Sequence, residues 1–395
     1  MILHREYGVA LVVGTPLVLI TAPLLVELLL VTLAAMLPRS RKALLAPTRP
    51  PLGKLVVVVP SHNEEVSIAR CVHSVSASAG GAGDILVVAH NCSDSTAEEA
   101  RAAGAMVTVL NDPALAGKGN ALAHGFHIAF AELGADAAII IDADSTVSAD
   151  LIGLVRQRLE YASVLQCRYE CRSASNDPRS RLRALAFFCM NVVRPLGRQR
   201  LHLSCGIFGN GFAMRRQVLE QVPYNAHSIV EDLEFHLCLI AAGIRCEFLE
   251  EARIWAEVPP DAAAAVTQSA RWEGGRLRMF QHHAPALFLQ VMRGRVALLE
   301  PLVDLAGLPL ALEVAALCGL LFFPAPVLRV YAEAGLGIVL LHLAVALCLG
   351  PDPLAALRAL LQSPFYVISK VAMLPAIIRK ARNRAAWVRT SRVEK

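Results

Sequence analysis

Charge is scarce in this chain: Asp, Glu, Lys and Arg make up only 18% of its 395 residues, against about a quarter in an ordinary soluble domain. That scarcity excludes a disordered chain, a coiled coil and a collagen-like repeat. With 55% apolar residues and a mean hydropathy of +0.49, a purely soluble protein is not expected either. Metal-binding cysteine spacing is also missing. The ten cysteines (71, 92, 167, 171, 189, 205, 238, 246, 318 and 348) form no pair of CxxC units and no set with nearby histidines, and Cys167/Cys171 stands alone. They read as mostly buried thiols of a reducing compartment. No basic stripe interleaved with aromatics runs along the chain, so no nucleic-acid partner is expected.

What the chain does have is apolar sequence at both ends and a patterned middle. Gly8 to Leu37 is uncharged except for Glu27, longer than the roughly 20 residues that cross a bilayer. An uncleaved anchor spanning residues 1–38 is expected, because a signal peptide has a shorter apolar core. Arg39, Arg41 and Lys42 follow it, which by the positive-inside rule puts the N-terminus outside and the rest in the cytosol. Further on, Leu302–Phe323 and Ala334–Leu349 read as two spans within residues 301–350, with Asp304 near one end and Glu313 deeper. The stretches Leu182–Leu196 and Leu277–Val291 read as amphipathic helices on the membrane surface, and residues 281–300 as an interfacial helix. Residues 351–395 would hold an interfacial segment, Ser363–Ile378 with Lys370 in its middle, and a tail whose last 17 residues carry seven Arg or Lys against one Glu. Such a tail suits anionic lipid at a cytosolic face.

Between the anchors, residues 54–280 alternate strand and helix. Leu55–Val59 is a β-branched run of the kind buried in parallel sheets. Helical spacing at Glu64–Ala77, a strand at Ile85–Val88, a helix at Thr96–Ala103 and a strand at Val107–Leu110 follow. A helix at Asn120–Leu133 then leads to a strand, Ala138–Ile141, that runs straight into Asp142. The pattern predicts an α/β domain on an open, mostly parallel sheet, with ligands beyond the carboxyl ends of the strands.

Three constellations carry chemistry. Asp142-Ala143-Asp144 at a strand end lets two carboxylates reach one site, and hard oxygen ligands suit Mg²⁺ or Mn²⁺ arriving with a diphosphate. Val230-Glu231-Asp232 opens a helix at Leu233–Ala242; Asp232 is either a functional carboxylate or a helix N-cap. Gln268-Ser269-Ala270-Arg271-Trp272 places Gln268, Arg271 and Trp272 on neighbouring positions of one helical turn. A guanidinium there can neutralise a diphosphate and an indole can stack on a sugar, unless the segment is simply an amphipathic surface helix.

In order, VVVVPSHNEE (56–65), VVAHNCSDST (87–96), GKGNAL (117–122), DADS (142–145), GNGFAMRR (209–216), VED (230–232) and QSARW (268–272) resemble the membrane-bound family 2 glycosyltransferases. These include the cellulose, chitin and hyaluronan synthases and bacterial exopolysaccharide enzymes. The resemblance implies a GT-A fold, a Rossmann-like nucleotide-sugar-binding sheet. It implies that Pro60, His62 and Glu64 cup the nucleobase and ribose and that Lys118 lies near the nucleotide. It places the metal on Asp144, with Asp142 beside it on the ribose or sugar side. It makes Asp232 the catalytic base next to Glu231, and closes Gln268, Arg271 and Trp272 over diphosphate and acceptor. His90 stands where many relatives carry an Asp contacting the base, a departure that bears on uracil recognition.

The function so implied is an inverting, Mg²⁺- or Mn²⁺-dependent hexosyl or N-acetylhexosaminyl transfer. The donor would be a nucleotide-sugar, UDP-linked by family habit. The acceptor would be a saccharide in polysaccharide synthesis at the cytosolic face of the inner membrane. A lipid acceptor such as a polyprenyl phosphate or ceramide, or a catalytically silent membrane scaffold, are the alternatives. With few spans for a channel, an export partner or homo-oligomer would carry a polymer out.

Overall fold

A computed structural model describes residues 2–38, 49–79, 84–172, 177–226, 228, 230–257 and 262–382. The basic cluster at 39, 41 and 42 and the tail beyond 382 lie outside the described residues. At the centre is a sheet of eight strands: β1 (Leu55–Ser61), β2 (Ile85–His90), β3 (Met106–Leu110), β4 (Ala137–Ile140), β5 (Thr146–Val147), β6 (Val164–Arg172), β7 (Phe212–Arg215) and β8 (Cys246–Glu257). Their order is β3-β2-β1-β4-β7-β6-β8-β5. The strands read from the sequence, β1 to β4, pair in parallel. The other half is mixed, with β7 antiparallel to both β4 and β6 and β8 parallel to β6. "Mostly parallel" therefore holds for one half only.

Both faces of β1 are covered, which is why its sequence is continuously apolar rather than alternating. Val57 and Val59 pack with Ile68, Cys71 and Val72 of the helix Ile68–Ala79 and with Leu151 and Val155 of the helix Leu151–Leu159. The first of these helices begins four residues later than its spacing suggests, after a turn at 65–67. Val56 and Val58 face Leu122 and Phe126 from the opposite side, and behind them Phe188, Val192 and Leu196. Each such buried aliphatic or aromatic side chain contributes roughly 1.5–3 kcal/mol.

That second face corrects one expectation. Leu182–Leu196 does not lie on a surface: its apolar residues form the core between the sheet and the long helix Pro326–Leu349, reaching Val345 and Ala346. The following turn crosses the first helix, Ile2–Met36, so closely that a Cβ on Gly197 would fall 2.0 Å from the Val31 carbonyl oxygen. Around that crossing, Arg194 and Arg198 meet Glu27 at 2.5 and 2.9 Å and Asp304 at 2.7 and 3.1 Å, and Arg198 meets Glu300 at 2.6 Å. Asp304 thus faces protein, and so does Glu313, which is fully buried.

Among the described residues, three helices are long and apolar enough to cross a membrane: Tyr7–Met36, Pro326–Leu349 and Pro353–Arg379. Leu302–Phe323 is not one straight span. Val296–Ala306 and Leu310–Leu320 meet at 76°, because Pro309 has no amide hydrogen to continue the ladder. Arg276 bonds the carbonyls of Asp304 and Gly307 at that break. The segment around Lys370 belongs to the longer Pro353–Arg379 run, which gives it a span's length.

Candidate active site

The carboxyl ends of β1, β2 and β4 open into a single large cavity of about 2910 Å³. The sequence brings every expected residue to its walls: Pro60, His62, Glu64, His90, Lys118, Asp142, Asp144, Glu231, Asp232, Gln268, Arg271 and Trp272.

On the β1–β2 side the backbone is bent by side chains. His62 Nδ1 donates to the His90 carbonyl at 2.8 Å, and the Glu64 amide donates to Thr96 Oγ1 at 2.7 Å while its carboxylate accepts from Ser67 Oγ. His90 is buried, with Nε2 3.1 Å from Asn91 Nδ2. Asn91 in turn exchanges bonds with Asp112, at 3.0 and 2.8 Å. Burial, then neighbouring His62, holds the His90 imidazole below its usual pKa, so it is neutral at physiological pH. Its ring braces this loop.

At the end of β4, Asp142 Oδ1 accepts from Lys118 Nζ at 2.5 Å, and the same ammonium donates to the Gly209 carbonyl at 2.7 Å. Burial alone would lower the Lys118 pKa, but Asp142 and then Glu231 outweigh it and the pKa rises. This lysine stays charged. Beneath lies a buried polar network that sequence reading missed. Asn210 accepts from the Asp142 amide at 3.1 Å and donates to Ser145 Oγ at 2.8 Å. Ser145 donates to Asp144 Oδ1 at 3.3 Å, and Gln166 Nε2 donates to the Asn210 carbonyl at 2.8 Å. Asn210 sits inside the GNG and Ser145 at the end of the DADS of motifs already noted, which were their only signals; Gln166 left none.

Gly209 separates the two halves of the site. Its φ is +71°, and a Cβ there would stand 3.1 Å from Asp232 Oδ2 and 3.5 Å from Lys118 Nζ, so glycine alone keeps that gap open. Asp232 is not the N-cap, a position held by Val230; it is the second residue of the helix Glu231–Ala241, and its Oδ1 accepts from the Leu233 amide at 2.8 Å. Burial, joined by the Asp232 carboxylate, pushes Glu231 up to about 8, and burial also raises Asp232. The helix is fixed from behind by His236, whose Nε2 lies 2.8 Å from Ser204 Oγ.

Gln268, Arg271 and Trp272 lie on one helix, Ala262–Met292, that also contains Leu277–Val291. The domain boundary expected at 280 thus falls inside a helix. Burial, countered in part by Glu231, lowers the Arg271 pKa, yet a guanidinium remains protonated throughout the physiological range. Trp272 is 44% exposed, its indole available in the cleft.

Asp142, Asp144 and Asp232 outnumber Lys118 and Arg271, an imbalance that a divalent cation would offset. Among the described residues no three His, Cys, Asp or Glu are placed to hold an ion by themselves. One or two carboxylates completed by phosphate oxygens is how Mg²⁺ is commonly held, so the donor set fits an ion delivered with a diphosphate.

The family description "Glycosyltransferase like family 2" matches residues 50–275. The chain belongs to this family. The family 2 domain is 26% identical over 236 residues to the "Probable glycosyltransferase YdaM" of Bacillus subtilis (strain 168), covering 57% of this chain and 55% of the relative. The chain thus spans little more than half of that relative's length. Among solved structures, the mannosyltransferase PcManGT from Pyrobaculum calidifontis in complex with GDP-Man and Mn²⁺ aligns over 96% of this chain and 97% of its own, at 17% identity and a TM-score of 0.51. That likeness is one of fold, and it runs through the helices as well as the sheet. Glucosyl-3-phosphoglycerate synthase from Mycobacterium tuberculosis, with Mn²⁺, UDP and phosphoglyceric acid, matches at 22% identity and TM-score 0.36 over 50% of this chain and 68% of its own. The family 2 assignment gives the chain a GT-A-type glycosyltransferase fold.

Proposed function

We propose that the protein is a membrane-bound, inverting transferase that moves a sugar from a nucleoside diphosphate to a hydroxyl of a lipid-linked acceptor. The observation that carries this reading is the shape of the cavity. Besides Asp232 and Trp272, its lining includes Leu308, Val314, Leu336, Val339, Leu340 and Leu343, aliphatic side chains on or beside the apolar helices, together with Phe365 and Tyr366. An aliphatic wall suits a hydrocarbon chain, whereas a passage for a bare polysaccharide calls for stacking rings and hydrogen-bonding groups. Exposed Trp272 at the mouth favours a sugar on the acceptor, which keeps the expected saccharide acceptor as the second reading.

The chemistry follows from charge. The acceptor oxygen forms a bond to the anomeric carbon as the bond from that carbon to the diphosphate breaks on the opposite face. Asp232, whose raised pKa makes it a stronger base, takes the hydroxyl proton, help worth typically 10²–10⁴-fold. A phosphate acceptor would need no such base, so a hydroxyl is favoured. Lys118 and Arg271 offset charge growing on the leaving diphosphate. Asp144 with Asp142 would hold Mg²⁺ or Mn²⁺, which supplies Lewis-acid neutralisation of the diphosphate when bound. Pro60, His62 and Glu64 shape the nucleotide end. The positive cluster at 39–42 and the basic tail support a cytosolic catalytic domain.

The test is to incubate membranes bearing the protein with radiolabelled UDP- and GDP-sugars and partition the products. Label extracted into organic solvent is expected; label found only in water-soluble polymer would overturn the lipid-linked acceptor.

A further inference from the structure

Arg271 and Trp272 stand on a helix outside the sheet, so something other than the strands must set how that helix is turned. Successive residues of a helix are separated by about 100°. Ser269 and Glu273 therefore share one side, Arg271 lies nearly opposite them, and Gln268 and Trp272 lie between. On the Ser269 side lies Lys370, from the helix Ser363–Ala372. Its ammonium bonds both Ser269 Oγ and the Glu273 carboxylate, and Ser269 Oγ donates to the same carboxylate oxygen at 3.1 Å. The Tyr366 ring lies 5.7 Å from Nζ. Lys370 is 7% exposed. A lysine inside an apolar segment is costly without a partner, and this one has its partner one helical step from Trp272.

We propose that Lys370 is a positioning residue for glycosyl transfer: through Glu273 and Ser269, which line the same cavity with it, it clamps the Gln268–Trp272 turn so that Arg271 and Trp272 face the reacting groups. The inference rests on the roles given above to Arg271 and Trp272. The C-terminal segment that holds the clamp exposes Leu357, Leu361, Phe365 and Ile368, so an apolar surface outside the catalytic domain reaches its active site through one ion pair.

The experiment uses the full-length protein in detergent, measuring kcat, donor KM, melting temperature and binding of UDP and GDP. Lys370→Met should lower kcat about 10–10²-fold, the range expected when reacting groups are displaced by about an ångström. Binding of the preferred diphosphate and the melting temperature should change little. Lys370→Arg should recover most of the loss, and so should the charge swap Lys370→Glu with Glu273→Lys. A merely structural lysine would lower melting temperature and folded yield without that selective fall in kcat. Lys370→Met activity within about twofold of the parent, or a loss relieved by neither Lys370→Arg nor the swap, overturns the clamp. Should Lys370→Met not accumulate, Glu273→Gln removes the same ion pair at constant shape and carries the same expectation. Arg271→Ala is run beside them. If it is fully active, the role of this helix in the functional reading fails; if it is impaired while Lys370→Met is not, only the clamp fails.

Discussion

Two groups of side chains face one cleft, and they are held in opposite ways. Asp142 and Asp144 follow the end of β4, and Lys118, Asn210, Ser145 and Gln166 tie them to three other elements. Their positions are consequences of strand pairing, and a change there strains the core of the fold. Gln268, Arg271 and Trp272 ride on a helix whose neighbours are other helices and whose rotation rests on the Lys370 pair. The strand-borne side is thus rigid by construction, while the helix-borne side, with Arg271 for the diphosphate and Trp272 for the acceptor, can be retuned by residues far along the chain. A transferase that keeps one kind of donor and varies its acceptor needs that asymmetry.

The sharpest way to break this comparison is at the base. Asp232→Asn should lower turnover by about 10²–10⁴-fold while nucleoside diphosphate affinity stays near normal. Because Asp232 is not the helix cap, stability should hold, and near-normal turnover would remove it as the base. Next in size is the metal: excess EDTA should abolish transfer and Mg²⁺ or Mn²⁺ restore it, and undiminished turnover in chelator would refute the roles of Asp142 and Asp144. Arg271→Ala should cost about 1.5–3 kcal/mol in kcat/KM, as expected for a lost bond to a charged group. Trp272→Ala should raise the acceptor KM alone, so a matching fall in donor affinity would erase the division between the two sides.

The smallest effect concerns pH. Glu231 has its folded pKa raised from 4.5 to about 8, so its protonated form is the one the fold favours. Its contribution to stability is full below 4.5 and fades as pH climbs toward 8. Glu231→Gln, neutral at every pH, should therefore raise the melting temperature at pH 8 relative to the parent and change it little at pH 4.5. A gain confined to acid pH would contradict the assignment.

The sequence was most readable where local pattern and burial coincide. Val56 to Val59 is apolar on both faces because both are covered, and Asp142 follows a strand because β4 ends there. Gln268 to Trp272 is a helical turn, as its spacing suggested. The unread parts depend on partners far away in the chain. The mixed half of the sheet includes two strands, Phe212–Arg215 and Thr146–Val147, too brief for periodicity to declare. Leu302–Phe323 looked like a span because composition does not register a bend. Ser363–Ile378 reads as interfacial because Lys370 interrupts it, and the partner of that lysine lies 97 residues earlier. Leu182–Leu196 looked like a surface helix because Arg194, like Arg198 just beyond it, pairs with carboxylates of other helices rather than with water.

Those arginines have a consequence for synthesis. Glu27 lies in a helix apolar enough to cross a membrane, and its first partner, Arg194, comes 167 residues later. At about 5–20 residues per second the ribosome needs on the order of 10–30 s to make that partner. Throughout that interval an unpaired carboxylate must wait on the nascent helix. The first helix and the sheet domain therefore mature as one unit, and an Arg194→Met chain should be recognised by quality-control proteases through an apolar helix left with its charge unanswered.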